Sequence, residues 1–182
     1  MAKYSKRQQE ILQALEEQAE AGNADSQYQL GMCYITGKGV EKDAKRAVRW
    51  FRRAARQGRP EAQCNLGYCY TNGEGVRKNA AKALQWYRLA AEKGDAQAQF
   101  NLSVCYMQGS GVDADKTEGA RWCLSAAELG NPDAQFNAAV CYRLGIGVEK
   151  DSEKAMLWYL RAAEQGHSIA KDVLAAMHGQ TS

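Results

Sequence analysis

Four tryptophans stand at positions 50, 86, 122 and 158, each 36 residues after the one before. Tyr34, Tyr70, Tyr106 and Tyr142 keep the same interval, as do the Gly-x-Gly-Val runs that begin at Gly37, Gly73, Gly109 and Gly145. A fixed period with no insertion restricts the fold more than any local propensity, because every copy must present the same face to its neighbour. Four full copies exceed the roughly three that a stacked array needs to bury a continuous core. The expectation is an all-α, right-handed solenoid of helical hairpins.

The register divides the chain into an N-terminal capping helix in 1–23, repeats at 24–59, 60–95, 96–131 and 132–167, and a C-terminal capping helix and tail at 168–182, all one continuous domain. In the first repeat, helical spacing predicts helix A from Ala24 to Thr36 and helix B from Ala44 to Gln57, joined by the turn at Gly37 and ended by Gly58. A turn of about 100° per residue gathers Ser26, Gln27, Leu30, Cys33 and Tyr34 on one face of helix A, and Ala47, Trp50, Phe51 and Ala54 on one face of helix B. Ile11, Leu12, Leu15 and Ala19 predict a helix from Ser5 to Ala21 that matches the second half of a copy. Ser168 to Met177 reads as a lone first half, and the tail from His178 to Ser182 is expected to fray.

Composition narrows the class. Net charge is +3, but residues 1–95 carry 17 Lys/Arg against 11 Asp/Glu and residues 96–182 carry 7 against 10, so only the first half is basic. No run approaches the roughly 18 apolar residues of a membrane span, and the opening residues lack the apolar core of a signal peptide, which predicts a soluble, cytoplasmic protein. Of six cysteines, Cys33, Cys69, Cys105 and Cys141 share one repeat position, and stacked copies sit farther apart than the roughly 7 Å a disulfide tolerates. Cys64 and Cys123 are unmatched. Free thiols are expected, and with no Cys-x-x-Cys pair, no metal or other cofactor.

The copies resemble Sel1-like repeats, relatives of the tetratricopeptide repeat. The resemblance rests on Ala-x-x-x-Leu-Gly-x-x-Tyr at Ala62 to Tyr70, Gly73-x-Gly75-Val76, Lys82-Ala83, Trp86-Tyr87, Ala90-Ala91 and Gly94, and it runs from Ala24 to Gly166. It implies an αα superhelix whose A helices line a concave side, used as an adaptor or scaffold. Two departures fall in the third copy, where Ser103 replaces Gly31 and Gly67, and Cys123 replaces Phe51, Tyr87 and Tyr159; looser packing is expected there. The bridging cysteines of secreted, disulfide-stapled relatives would fall at positions such as Ala55 and Gln63, which hold none.

Function follows as a choice among classes. The Gly-x-Gly-Val runs lack a following Gly-Lys-Ser/Thr and read as tight turns rather than phosphate loops. His167 and His178 lie near the end, away from any nucleophile motif, and Ser168-Ile-Ala-Lys171 lacks the other elements of a β-lactamase. The reading is a non-enzymatic scaffold for a protein or peptide, with an enzyme of undetected type as the alternative class. Two surfaces are candidates. A groove is expected along the A helices, with Met32 and Tyr68 as apolar contacts and Gln29, Asn65, Asn101 and Asn137 as amides able to grip a peptide backbone or to tie adjacent helices. A basic stripe of Lys45, Arg49, Arg52, Arg53 and Arg56 on helix B of the first repeat is either a solvated surface or a site for an acidic protein partner, with an anionic membrane as a lesser alternative. Nucleic acid is disfavoured, since no aromatic residue is interleaved on that stripe.

Overall fold

The computed structural model describes residues 5–179, which form ten helices and no strand. The three last residues of the expected frayed tail, 180–182, lie outside the described residues, and helix α10 continues past Met177 to Gly179. In order, the helices are α1 (Lys6–Glu20), α2 (Ala24–Thr36), α3 (Ala44–Arg56), α4 (Pro60–Asn72), α5 (Ala80–Ala91), α6 (Ala96–Gln108), α7 (Lys116–Glu128), α8 (Pro132–Leu144), α9 (Ser152–Glu164) and α10 (Ser168–Gly179). They form two compact units, one ending at Lys93 and the other beginning at Gly94. In the first, α2 packs on α3 and α4 on α5, with α1 against α2; in the second, α6 packs on α7 and α8 on α9, with α10 against α9.

Local chemistry places the helix ends. Asp43, Asn79, Asp115 and Asp151 each accept the third backbone N–H of their helix, at 2.9 to 3.0 Å, and so begin every helix B. The A helices start on Asn23, Asp95 and Asn131 in the same way, while α4 begins on Pro60, which needs no N–H there. Gly37 ends α2 in the left-handed conformation at φ 77°, where a Cβ would be strained. The turn is closed by the Asp43 N–H donating to the Tyr34 carbonyl at 2.9 Å, and the same bond recurs in each hairpin. The second glycine of the turn has a different purpose. A Cβ at Gly75 would strike the Ala44 carbonyl oxygen, so glycine lets the turn of the second repeat sit on the first turn of α3.

Alanines allow close packing, and large residues fill what remains. Leu30, Ala47, Phe51 and Ala54 are essentially inaccessible in the first hairpin. Burying a Leu or Phe side chain stabilises the fold by about 1.5 to 3 kcal/mol. Two expected core residues sit elsewhere: Trp50 and Cys33 are only half-buried, and Val48, at 2 % exposure, takes the place expected of Trp50. Successive repeats are also joined by buried amides. Gln27 donates to the Ala19 carbonyl at 3.0 Å, Gln63 to Ala55 at 3.1 Å and Gln135 to Ala127 at 3.2 Å, so these three A-helix glutamines each satisfy a carbonyl near the end of the preceding helix.

Candidate functional site

The expected groove residues fall in both units. In the first, Asn65 is half-buried and its Nδ2 donates to the Tyr28 hydroxyl at 3.4 Å and to Met32 Sδ at 3.5 Å, a weak tie between α4 and α2. No hydrogen bond is recorded to its Oδ1 among the described residues, so this oxygen can still accept from a ligand. Tyr68 is 51 % exposed on the same helix, one turn along. Gln29 and Met32 line an apolar recess of about 540 Å3 with Ile11, Leu12, Leu15, Cys33 and Thr36. In the second unit, Asn101 Oδ1 accepts from Gln97 Nε2 at 3.3 Å, and Gln97 Oε1 accepts from Asn131 Nδ2 at 3.1 Å, while Asn137 is half-buried on α8.

Among the described residues, α1 packs on α2 and its apolar side is left partly exposed along this recess. Ile11 occupies the repeat position of Ala47 (47 − 11 = 36), yet Ile11 is 61 % exposed and Ala47 is inaccessible. Leu15 occupies the position of Phe51, and is half-buried where Phe51 is enclosed. Half-buried aromatic residues elsewhere on the A helices pack against B-helix rings: Tyr28 meets Phe51 at 6.0 Å between ring centroids, and Phe136 meets Tyr159 at 5.6 Å.

The basic stripe divides. Arg49, Arg52, Arg53 and Arg56 line one groove of about 590 Å3 between α1 and α3, together with Arg46, Trp50, Tyr34, Glu16 and Glu20. Lys45 instead lines a neighbouring groove beside the Gly39–Ala44 turn. Arg53 donates to Glu20 Oε2 at 2.8 Å and stacks on the Trp50 ring at 4.5 Å, so an aromatic residue does stand within the stripe, contrary to the sequence reading. Helical spacing alone assigned Trp50 to the core, because the tryptophan lies at the border between the buried and the charged side.

The histidine and the thiols have structural settings. His167 Nδ1 accepts the Ala170 N–H at 3.2 Å, capping α10, and its ring stacks on Phe136 at 4.7 Å. All six cysteines are free. Burial pushes Cys69 up to about 11 and raises Cys33 and Cys105 above the ordinary thiol range. Cys123 is held protonated by its neighbour Cys141 and by burial, a contact between unmatched repeat positions that the spacing of cysteines did not reveal.

Repeat period, helical hairpins and turn glycines define a repeat-built helical protein. The Sel1 repeat model matches at residues 24–58, 60–95, 96–131 and 132–167, and the chain belongs to this family. Sel1-repeat proteins generally mediate protein–protein interaction. The chain is similar to c5321, a protective antigen present in uropathogenic Escherichia coli strains displaying an SLR fold, at 43 % identity and a TM-score of 0.88, over 93 % of this chain and 36 % of that one. It is also similar to a Sel1 repeat protein from Oxalobacter formigenes, at 37 % identity and a TM-score of 0.85, over 91 % of this chain and 66 % of that one. Helicobacter pylori cysteine rich protein B shares the fold at 22 % identity and a TM-score of 0.59, over 75 % of this chain and 98 % of that one. The chain thus spans about a third and about two thirds of the length of the first two solved relatives. No curated protein matches it. Among the described residues no helix is long and apolar enough to cross a membrane.

Proposed function

We propose that this chain is a non-enzymatic scaffold that seats a segment of a partner protein on the A-helix side of its first unit, anchored in the recess between α1 and α2. The observation that carries the reading is the open apolar recess itself. Ile11, Leu12, Leu15 and Met32 offer an apolar socket, and an exposed large apolar residue in a concave setting is the usual mark of a binding surface. Asn65 Oδ1 and exposed Gln29 supply polar contacts at its border. An amphipathic helix with one apolar stripe fits this combination, its polar side left in water.

The test is selection of a displayed peptide library on the immobilised protein and on the Ile11→Asp and Met32→Asp variants. Peptides with apolar residues at helical spacing should be enriched on the wild type and bind each variant at least about tenfold more weakly, the loss of roughly 1.4 kcal/mol. Ile11 is exposed, so its variant should keep its melting temperature. Peptides that bind wild type and both variants equally would overturn the reading.

A further inference from the structure

The groove between α1 and α3 is a separate surface, and its electrostatics are out of keeping with the rest of the molecule. Helix α3 carries six cations and no acidic residue in its 13 positions. Neighbouring arginines at three- and four-residue spacing repel one another by about 0.2 to 0.5 kcal/mol per pair. Arg53 and Arg56 recover part of this through the negative end of the helix dipole. The groove itself holds Arg46, Arg49, Arg52, Arg53 and Arg56 against Glu16 and Glu20. Glu16 accepts from the Tyr34 hydroxyl at 3.1 Å and Glu20 is taken by Arg53. Arg52 reaches only the Tyr70 hydroxyl, at 3.4 Å, and no ion pair is recorded for Arg49 or Arg56 among the described residues.

The other B helices show what a solvated version of this face looks like. At the five groove positions α5 and its C-cap have Lys82, Gln85, Arg88, Leu89 and Glu92; α7 has Glu118, Arg121, Leu124, Ser125 and Glu128; α9 has Lys154, Leu157, Leu160, Arg161 and Glu164. Each mixes charges, and two of the cations there pair locally, Arg121 with Glu118 at 2.6 Å and Lys154 with Asp151 at 3.1 Å, as Arg46 of α3 does with Asp43 at 3.4 Å. Helix α3 alone among these four keeps five cations at the five positions.

We propose that the α1–α3 groove is a docking site for an acidic segment of a partner protein, distinct from the apolar recess. Arg49, Arg52/Arg53 and Arg56 are spaced about one helical turn, roughly 5 Å, apart, which matches carboxylates on successive turns of an acidic helix. Each guanidinium can take a carboxylate by two parallel hydrogen bonds. The Arg53–Glu20 pair is half or more exposed on both sides, so it opens at little cost to let Arg53 join. A nucleic acid fits less well. The Arg53 guanidinium stacks on the Trp50 ring at 4.5 Å and competes with a base for that face, and Glu16 and Glu20 on the opposite wall repel a chain charged at every step more than a helix charged once per turn.

The experiment uses the full chain, fluorescence polarisation and about 50 mM salt, where screening is weak. The probes are a labelled peptide with glutamates at helical spacing, its glutamine analogue, and a single-stranded oligonucleotide of equal charge. Arg49→Glu/Arg56→Glu is compared with Arg143→Glu/Lys150→Glu, a change of equal net charge at exposed positions of the second unit. The acidic peptide should bind wild type, bind the glutamine analogue's level at most in the groove variant, and lose at least about tenfold in affinity there while the control variant loses less than about twofold. Unchanged melting temperature in both variants keeps the comparison clean. Equal loss in both variants, tighter groove-dependent binding of the oligonucleotide, or no binding of the acidic peptide to wild type would each overturn the proposal. Ile11→Asp should leave this binding intact, which separates the two surfaces.

Discussion

The second and third hairpins solve the same packing problem with different atoms. In the second, Gly67 lies under the ring of Tyr87, so closely that a Cβ there would sit 2.6 Å from two ring carbons. The ring is 3 % exposed and its hydroxyl meets Thr71 Oγ1 at 3.1 Å. The third hairpin has Ser103 and Cys123 at the matching positions and so lacks the aromatic volume. It is nevertheless closed, with Cys123 at 1 % exposure. Met107, which replaces Thr71, extends over helix α7, and Gly119 replaces the alanine of the other B helices to admit it: a Cβ at Gly119 would lie 2.8 Å from Met107 Cγ. The expected looser packing is therefore not what this hairpin shows. A flexible side chain entering from the next turn of helix A packs against α7 where the second hairpin has a threonine and a ring, and methionine suits this because it is unbranched and adaptable.

The largest expected effect comes from breaking the second hairpin into the third's sequence one residue at a time. Tyr87→Cys alone should cost about 3 to 5 kcal/mol, because the cavity is created without its filler. Adding Thr71→Met together with Ala83→Gly, which opens the room that Gly119 gives Met107, should restore a measurable part of that loss in urea denaturation; no recovery would show that Met107 is not the compensating residue in the third hairpin.

Next in size is the glycine contrast. Gly67→Ala removes a flexible helical glycine, a gain of about 1 kcal/mol, but drives a Cβ into a rigid ring, for a net loss of about 1 to 3 kcal/mol. Gly119→Ala gains the same helical term while meeting a yielding methionine, so its net change should stay within about 1 kcal/mol of zero. Equal losses from the two would remove the distinction between a rigid and an adaptable filler.

The fourth hairpin extends the comparison to a single hydroxyl. Tyr159 is enclosed at 0 % exposure, its hydroxyl has no hydrogen-bond partner among the described residues, and Arg143 stands where Thr71 serves Tyr87. Tyr87→Phe should cost about 1 kcal/mol, whereas Tyr159→Phe should be neutral or stabilising by up to about that amount. Thermal melts of the two variants check the difference in sign.

The smallest effect concerns pH. Cys69 in the second hairpin is raised to about 11, so the folded state holds its proton more tightly than the unfolded chain does. The stability this represents is fully present below the ordinary thiol pKa and is lost as pH rises through about 11. Melting temperature should therefore fall between the ordinary thiol pKa and about 11, and Cys69→Ala should flatten part of that slope. An unchanged slope would assign the alkaline loss to other groups.

The sequence alone carried the helices and their ends. Helix A of the first repeat runs from Ala24 to Thr36 as its spacing predicts, and helix B ends at Arg56, one residue short of expectation. These limits are local: an Asp or Asn side chain caps the helix that follows it, and a glycine at positive φ stops the helix before it. The repeat register likewise placed Gln29, Met32, Asn65 and Tyr68 on the A-helix side and four arginines along α3.

Tertiary packing decided the rest. Trp50 and Val48 are both apolar and lie two residues apart, yet packing encloses the valine and leaves the tryptophan bordering the basic groove beneath Arg53. Lys45 parts from the arginines because the turn at Gly39 turns the start of α3 toward a different groove. Met107 pairs with Gly119, and Cys123 with Cys141, across helices whose approach no single window of sequence encodes. Periodicity states which residues share a face, but whether that face meets a helix, a side chain or water depends on the volume its neighbours leave, and that is settled only when the helices pack.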